Sequence, residues 1–142
     1  MAGITPDEGE NAVARVIYDG DPRTSHLTIG IWEGTSAPDE ATTYATTGAV
    51  FDKLGTPGLG LSGFNEKTLT DGSWTVTGDT ATYTDQVFTA GAGVTSEAAN
   101  GYFIAMDINT GTKTLLHLER DGTARSLSTG ETYTIGISNT VA

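Results

Sequence analysis

The sequence lacks several of the residue types from which reactive centres are built. It has no cysteine, so disulfides and thiolate chemistry are excluded and stability does not depend on the redox compartment. Its two histidines, His26 and His117, fall on separate predicted strands, so we expect neither a histidine-based metal site nor a catalytic histidine. No serine lies in a Gly-x-Ser-x-Gly elbow, so nucleophilic hydrolysis is not expected. The composition favours a binding or structural protein over an enzyme.

Basic residues and long apolar runs are also scarce. Seven Lys and Arg residues stand against 18 Asp and Glu, which gives a formal net charge of −11 at pH 7. Such a charge repels nucleic acid and anionic membranes, so we expect neither as a partner. No apolar run approaches the roughly 20 residues of a transmembrane helix, and no secretory signal is visible at the start. Two interpretations of the charge stay open: a well-solvated surface, or a protein packed densely beside copies of itself.

Alternation of apolar and small residues is the dominant pattern in the chain. It runs with period two through segments such as 26–32, 101–108 and 131–137, which is typical of half-buried antiparallel strands. Threonine fills many of the alternate positions, and its β-branched side chain suits a pleated surface. The predicted strands are 25–33, 64–70, 73–78, 80–89, 101–108, 113–119, 123–128 and 131–138.

Turn residues separate these strands at intervals of about 8–12 residues, the spacing expected of a sandwich or jelly roll. The turn signals are Asp71-Gly72, Gly78-Asp79, Asn109-Thr110-Gly111, Asp121-Gly122 and Thr129-Gly130. A chain of 142 residues is long enough to bury one core. The sequence therefore predicts a single domain over 1–142 with an all-β, jelly-roll-like antiparallel β-sandwich.

One short amphipathic helix is predicted at 6–18. Thr5 is placed to cap it, Pro6 suits its first position, and Glu8 is spaced to close a capping box. The turn residues at 19–22 end it. A single apolar stripe predicts that the helix lies on the sandwich or on a neighbouring subunit; its members are Ala12, Val13, Val16 and Ile17.

The segment 34–63 is predicted to be irregular, with a short strand at 49–51 as its one candidate element. A long segment with little pattern often binds a partner, and its apolar side chains need cover. Trp32 has the opposite parity to the apolar residues of its strand, so it faces outward or lies at a strand end. The candidate interface residues are Trp32, Tyr44, Val50, Phe51, Leu54, Leu59 and Leu61. Alternatively, 49–54 forms an internal strand that buries its own apolar groups.

Carboxylates are abundant, but their spacing matches no metal-binding loop. Asp19-Gly20-Asp21 and Asp121-Gly122 look like fragments of calcium loops without the alternating ligand spacing, and Asp-Gly is above all a turn dipeptide. We therefore expect no metal, no cofactor and no catalytic residue. Glycoside hydrolysis needs two carboxylates across a cleft; the sequence alone cannot pair them.

Taken in order, these motifs resemble the small jelly-roll virion structural proteins of tailed bacteriophages, which include capsid decoration and tail-fibre-like proteins. The similar features are a helix with Gly9-Glu10-Asn11-Ala12 running into Asp19-Gly20, the strand 27–31, Gly63-Phe64 opening a strand, Trp74 ahead of Gly78-Asp79, Gly101-Tyr102 leading to Asp107 and Thr110-Gly111, and the final segment 130–135. The resemblance covers almost the whole chain, and the 34–63 segment departs from it.

The resemblance implies a capsid decoration, or cement, protein that binds the outer surface of a phage head. It implies a homotrimer at local threefold positions, with the major capsid protein as partner. The location implied is the virion surface, after synthesis in the host cytoplasm, and no catalytic residues are implied. The alternative is a tail-fibre or tail-tip subunit that binds host surface glycans, and a glycan hydrolase is a third class.

Overall fold

The computed structural model describes residues 3–19, 26–35, 37–48, 50–56, 58–108 and 113–140. One α-helix, α1 (Asp7–Ala14), continues into a π-helical turn (Arg15–Asp19). Eight strands follow: β1 (Leu27–Glu33), β2 (Asp52–Lys53), β3 (Lys67–Leu69), β4 (Thr75–Thr77), β5 (Thr80–Thr89), β6 (Glu97–Asp107), β7 (Lys113–Leu127) and β8 (Thr132–Thr140). Among these described residues, no helix has the length and apolar character needed to cross a membrane.

The strands form two antiparallel sheets. The larger has the order β2-β1-β6-β7, with β3 also paired to β1, and the smaller has the order β4-β5-β8. Because side chains alternate across a strand, β1 and β6 present Ile29, Ile31 and Ile104 to the smaller sheet, where they share one core with Ile135 and Ile137 of β8. The predicted all-β sandwich with one short N-terminal helix is confirmed.

One predicted turn is wrong. Asp121-Gly122 was expected to separate the strands 113–119 and 123–128, but both lie in the single strand β7 and pair with β6. Asn100 alone opposes residues 121–124, so the extra residues form a bulge. Gly122 does not take the positive φ that a tight Asp-Gly hairpin turn requires, whereas Gly78 does, at 62° between β4 and β5.

The helix begins without the predicted cap. Pro6, in extended conformation, occupies the position before α1, and no side chain caps the first turn. Glu8 does not close a capping box, because its Oε1 accepts hydrogen bonds from the backbone N–H groups of Tyr44 and Leu115, each at 2.6 Å. The predicted helix stop at 19–22 falls largely on residues 20–25, which lie outside the described residues, as does the predicted break at 109–111.

The buried face of the helix is narrower than predicted. Gly9 lies directly on β7, where an added Cβ would meet the Leu115 carbonyl oxygen at 2.3 Å. Ala12 is buried and Val16 is half-buried, but Val13 and Ile17 are exposed. The stripe prediction is therefore wrong for the last two, because the helix rests on its smallest residues and turns the larger ones away from the sheet.

The outer face of the larger sheet carries a second core. Trp32 of β1 and Phe103 of β6 point to this face, and Phe51 from the connection between β1 and β2 packs on both. The centroid of the Phe51 ring lies 5.8 Å from that of the Trp32 ring and 5.6 Å from that of the Phe103 ring. The strand predicted at 49–51 is replaced by β2, and residue 49 lies outside the described residues. Both faces of the larger sheet are thus covered by the chain itself.

Candidate functional site

Three of the seven predicted interface residues are core residues. Trp32, Phe51 and Leu54 are all 0% exposed in the single chain, so the prediction that they contribute to an exposed patch is wrong. Trp32 also donates its Nε1–H to the Glu119 carbonyl oxygen at 3.2 Å. The physical reason is that the 34–63 segment folds over the sheet to which it is connected and buries its own apolar groups, which was the alternative interpretation.

The other four predicted interface residues lie nearer the surface. Tyr44 and Val50 are half-buried against the outer core, and Leu61 is half-buried against the inner one. Leu59 is 44% exposed. The segment is largely irregular, as predicted, with β2 as its one strand. Of the seven residues, Leu59 is the most exposed.

A buried polar network fastens this segment to the sheet. The Glu66 carboxylate accepts hydrogen bonds from the Tyr44 hydroxyl, from Lys113 Nζ and, at 3.0 Å, from Thr28 Oγ1. Lys53, only 4% exposed, donates from Nζ to the Tyr44 carbonyl oxygen at 2.5 Å. Its ammonium also lies 4.6 Å from the centroid of the Tyr44 ring, a cation–π contact.

The electrostatics of the network are those of a structural clamp. Burial, followed by the hydrogen bond to Glu66, raises the pKa of Tyr44 well above its usual value, which keeps the hydroxyl a donor. Burial lowers the pKa of Lys53. Nearby carboxylates raise the same pKa, with Glu66 contributing most, but they do not reverse the effect of burial. Because these groups satisfy one another, the network holds the segment in place.

The end of the helix presents an apolar surface that nothing in the described chain covers. Val13 is 42%, Ile17 65% and Tyr18 84% exposed. We call these three residues the helix-end patch. The helix beneath them is fixed by Glu8 and by the close contact at Gly9. The patch therefore lies at the far end of a helix whose first turn is held against β7.

The outer edge of β8 is a second surface that no other described strand covers. β8 is the last strand of the smaller sheet and pairs on one side with β5. Its nine residues contain no charge and no proline. Tyr133, Ile135 and Ile137 point into the core, and Thr132, Thr134, Gly136 and Ser138 lie on the exposed face. We call this surface the β8 edge.

A cleft of about 610 Å³ lies beside the β7 bulge, and four of its lining residues carry polar or charged side chains: Glu33, Asp52, Asn100 and Arg120. We call it the Asn100 cleft. Asn100 is 9% exposed, and its Oδ1 accepts a hydrogen bond from the Gly34 N–H at 3.1 Å. Burial raises the pKa of Glu33, and neighbouring carboxylates raise it further. The cleft combines hydrogen-bond acceptors with a guanidinium group.

The structure offers no metal centre within the residues it describes, where no three His, Cys, Asp or Glu side chains are placed to hold an ion. His26 lies beside Asp71, at 3.4 Å, and His117 Nε2 is 3.1 Å from Glu119 Oε2. The Asp121 carboxylate accepts a hydrogen bond from the Tyr133 hydroxyl. Of the other suspected calcium fragment, Asp21 lies outside the described residues.

Sequence reasoning did not identify the β8 edge or the Asn100 cleft. The edge depends on the order of strands in a sheet, which alternation does not encode. The cleft depends on the bulge in β7, and the three extra residues opposite Asn100 give no pattern of their own. The helix-end patch could have been found, because Tyr18 directly follows the predicted stripe.

No protein-family model, curated protein or solved structure matches this chain.

Proposed function

We propose that this protein is a virion structural protein, a capsid decoration protein that binds the outer surface of a phage head as an oligomer. The order of the sequence motifs supports this, together with the all-β sandwich. The helix-end patch is the observation that carries it, because three large apolar side chains stand exposed along the helix and the π-helical turn that follows it. Surfaces of this kind mark protein interaction sites.

The composition of the patch specifies the surface that it fits. Ile17 and Tyr18 are suited to an apolar pocket, and aromatic side chains are frequent among the residues that dominate binding energy. Acidic Asp7 and Glu10 lie on the same helix. The partner surface, on the major capsid protein, is therefore expected to be an apolar pocket with basic residues at its rim. Several such contacts from one oligomer would retain it on a shell even if each is weak.

The test is co-sedimentation with empty heads of the phage whose genome encodes this chain. Ile17→Asp combined with Tyr18→Ser should abolish co-sedimentation and leave the melting temperature unchanged, because both side chains are exposed. Val76→Asp is the matched control, since Val76 is 66% exposed on β4. Wild-type protein that does not bind heads would contradict the proposed function. If the double variant still binds heads, the surface that contacts the head is not the helix-end patch.

The alternative role, a tail-fibre or tail-tip subunit that binds host glycans, is favoured by the Asn100 cleft. Carboxylate, amide and guanidinium groups together can bind the hydroxyl groups of a sugar. A glycan array with the wild type and with Arg120→Ala tests this, and Arg125→Ala outside the cleft is the control. Binding that Arg120→Ala removes would support the fibre role. Release of reducing sugar in the same assay would indicate hydrolysis instead.

A further inference from the structure

Natural sheets protect their edges against pairing with other chains, and most edges in this protein are protected. β2 has two residues, and β3 and β4 have three each, so they offer little backbone to a partner strand. The outer edge of β7 is occupied by the bridge between Ile4 and Leu118 and by Glu8, which binds the Leu115 N–H. Further along, β7 is interrupted by its bulge at 121–124.

The β8 edge has none of these protections. It is nine residues long, uncharged and free of proline. Within the described part of the chain, its pairing partner is β5, on the other side. Burial of Tyr133, Ile135 and Ile137 at 2–3% exposure fixes which side chains face outward. The register of β8 within its sheet is therefore fixed, and its free backbone groups are suited to pair with another strand.

We propose that β8 pairs with β8 of a second copy of this chain, antiparallel about a two-fold axis, and joins the two three-stranded sheets into one. An isologous contact of this kind needs a self-complementary surface. Among the described strands that end a sheet, β8 is the one that is both long and regular, so its best match in length is itself. The outward-facing Thr134 and Ser138 would lie close to the same residues of the partner copy, where small hydroxyl side chains allow near approach and hydrogen bonding.

Charge favours the same contact. The chain carries a net charge of −11, so two copies repel one another across most of their surfaces. β8 itself contributes no charge to that repulsion, and the Asp85 carboxylate of β5 lies beside it, 3.5 Å from the position of a Cβ at Gly136. The inference does not depend on the phage assignment, since it concerns two copies in solution. It differs from the homotrimer that the resemblance implies, because a two-fold contact produces dimers or assemblies built from dimers.

The absence of cysteine from the chain allows a direct test of proximity. Single variants Thr134→Cys, Gly136→Cys and Ser138→Cys are oxidised mildly and separated without reductant, and Val76→Cys on β4 is the exposed control. Near a two-fold axis, at least one β8 variant should form a disulfide-linked dimer in high yield. The yield should exceed that of the control about tenfold, since cross-linking requires Cα atoms within about 7 Å. Equal yields in all four variants would overturn the proposal.

Charge substitution gives a second test that does not rely on cross-linking. The double variant Thr134→Lys with Ser138→Lys should be monomeric by native mass spectrometry, with the dissociation constant raised about tenfold or more, because like charges face each other across the strands. The matching double variant with glutamate should also be monomeric. Mixing the two should restore a heterodimer. A trimeric or monomeric wild type, or failure of the mixture to pair, would overturn the proposal, and none of these outcomes depends on binding to heads.

Discussion

Replacement of Phe51 by alanine separates a core role from an interface role for the 34–63 segment. The ring is 0% exposed and lies between Trp32 and Phe103. Its removal forfeits a transfer free energy of about 2.5 kcal/mol. The cavity left between two large aromatic residues adds about 2 kcal/mol when the surroundings relax little, at roughly 24 cal/mol per Å³. The expected loss in the free energy of unfolding is therefore about 3–5 kcal/mol.

Urea unfolding of the isolated protein, followed by fluorescence, measures this loss. The midpoint should fall while the slope with denaturant stays the same, and the melting temperature should drop by about 10 °C at roughly 2–4 °C per kcal/mol. Trp32 serves as a local reporter because its ring contacts that of Phe51. Leu59→Ala is the control from the same segment, since Leu59 is 44% exposed, and it should cost less than about 1 kcal/mol.

The result that would refute this reasoning is an isolated Phe51→Ala protein that unfolds within about 1 kcal/mol of the wild type. Phe51 would then contribute little to the core. If the same variant also lost its ability to assemble, the segment would be an interface as the sequence suggested. A loss of stability in the absence of heads excludes a head-binding interface for Phe51, because its ring is 0% exposed within the single chain.

Three further predictions concern the helix and the Asn100 cleft. Glu8→Ala should lower the free energy of unfolding by about 2–4 kcal/mol, because two backbone N–H groups lose their acceptor; exposed Glu10→Ala is the control, and amide hydrogen exchange should quicken at both donors. Ala12→Asp should cost about 2–4 kcal/mol by burying a charge, whereas Val13→Asp should cost little; equal losses in chemical unfolding would contradict the placement of the helix. Burial and neighbouring carboxylates raise the pKa of Glu33 above 4.5, so its ionised form disfavours the folded state as pH rises. Glu33→Gln should therefore melt higher than the wild type at pH 7, and the difference should shrink as the pH falls and vanish once it is well below 4.5, where the carboxyl is protonated in both states.

Period-two alternation predicted the strands well because it reports directly on which side chains are buried. The prediction 80–89 matches β5 at both ends, and the turns at Gly72, Gly78 and Gly130 all take positive φ. These are local features, set by a few neighbouring residues. The Asp121-Gly122 turn was wrong because the same dipeptide fits a bulge. Whether Asp121-Gly122 forms a turn or a bulge depends on whether both halves of β7 pair with β6. That pairing is set by distant parts of the chain and not by neighbouring residues.

Trp32 illustrates why the binding surface could not be predicted. Its parity correctly placed it on the face opposite Ile29 and Ile31. Parity does not tell whether that face meets solvent or another part of the chain. In the structure this face is covered by Phe51 and Tyr44, which belong to a segment with no periodic pattern. Glu66 fastens that segment to the sheet through its hydrogen bond from Tyr44. Tertiary contacts of irregular segments leave little trace in local sequence.

The second core determines where this protein can bind a partner. A sandwich usually leaves the outer face of at least one sheet to solvent, and that face is then available for docking. Here the outer face of the larger sheet is closed by the chain itself, and the closure is secured by a carboxylate and two ammonium groups rather than by apolar contact alone. Surfaces for partners therefore lie outside this closure, at the end of the helix and on the smaller sheet, where Val76 and Val87 are also exposed. The helix-end patch lies beyond the small residues that hold α1 to β7, and the β8 edge lies on the smaller sheet, which no such segment protects. In the two proposals, one surface would bind an apolar pocket on a shell and the other would bind a second copy of the chain. The two contacts can therefore be removed independently of each other.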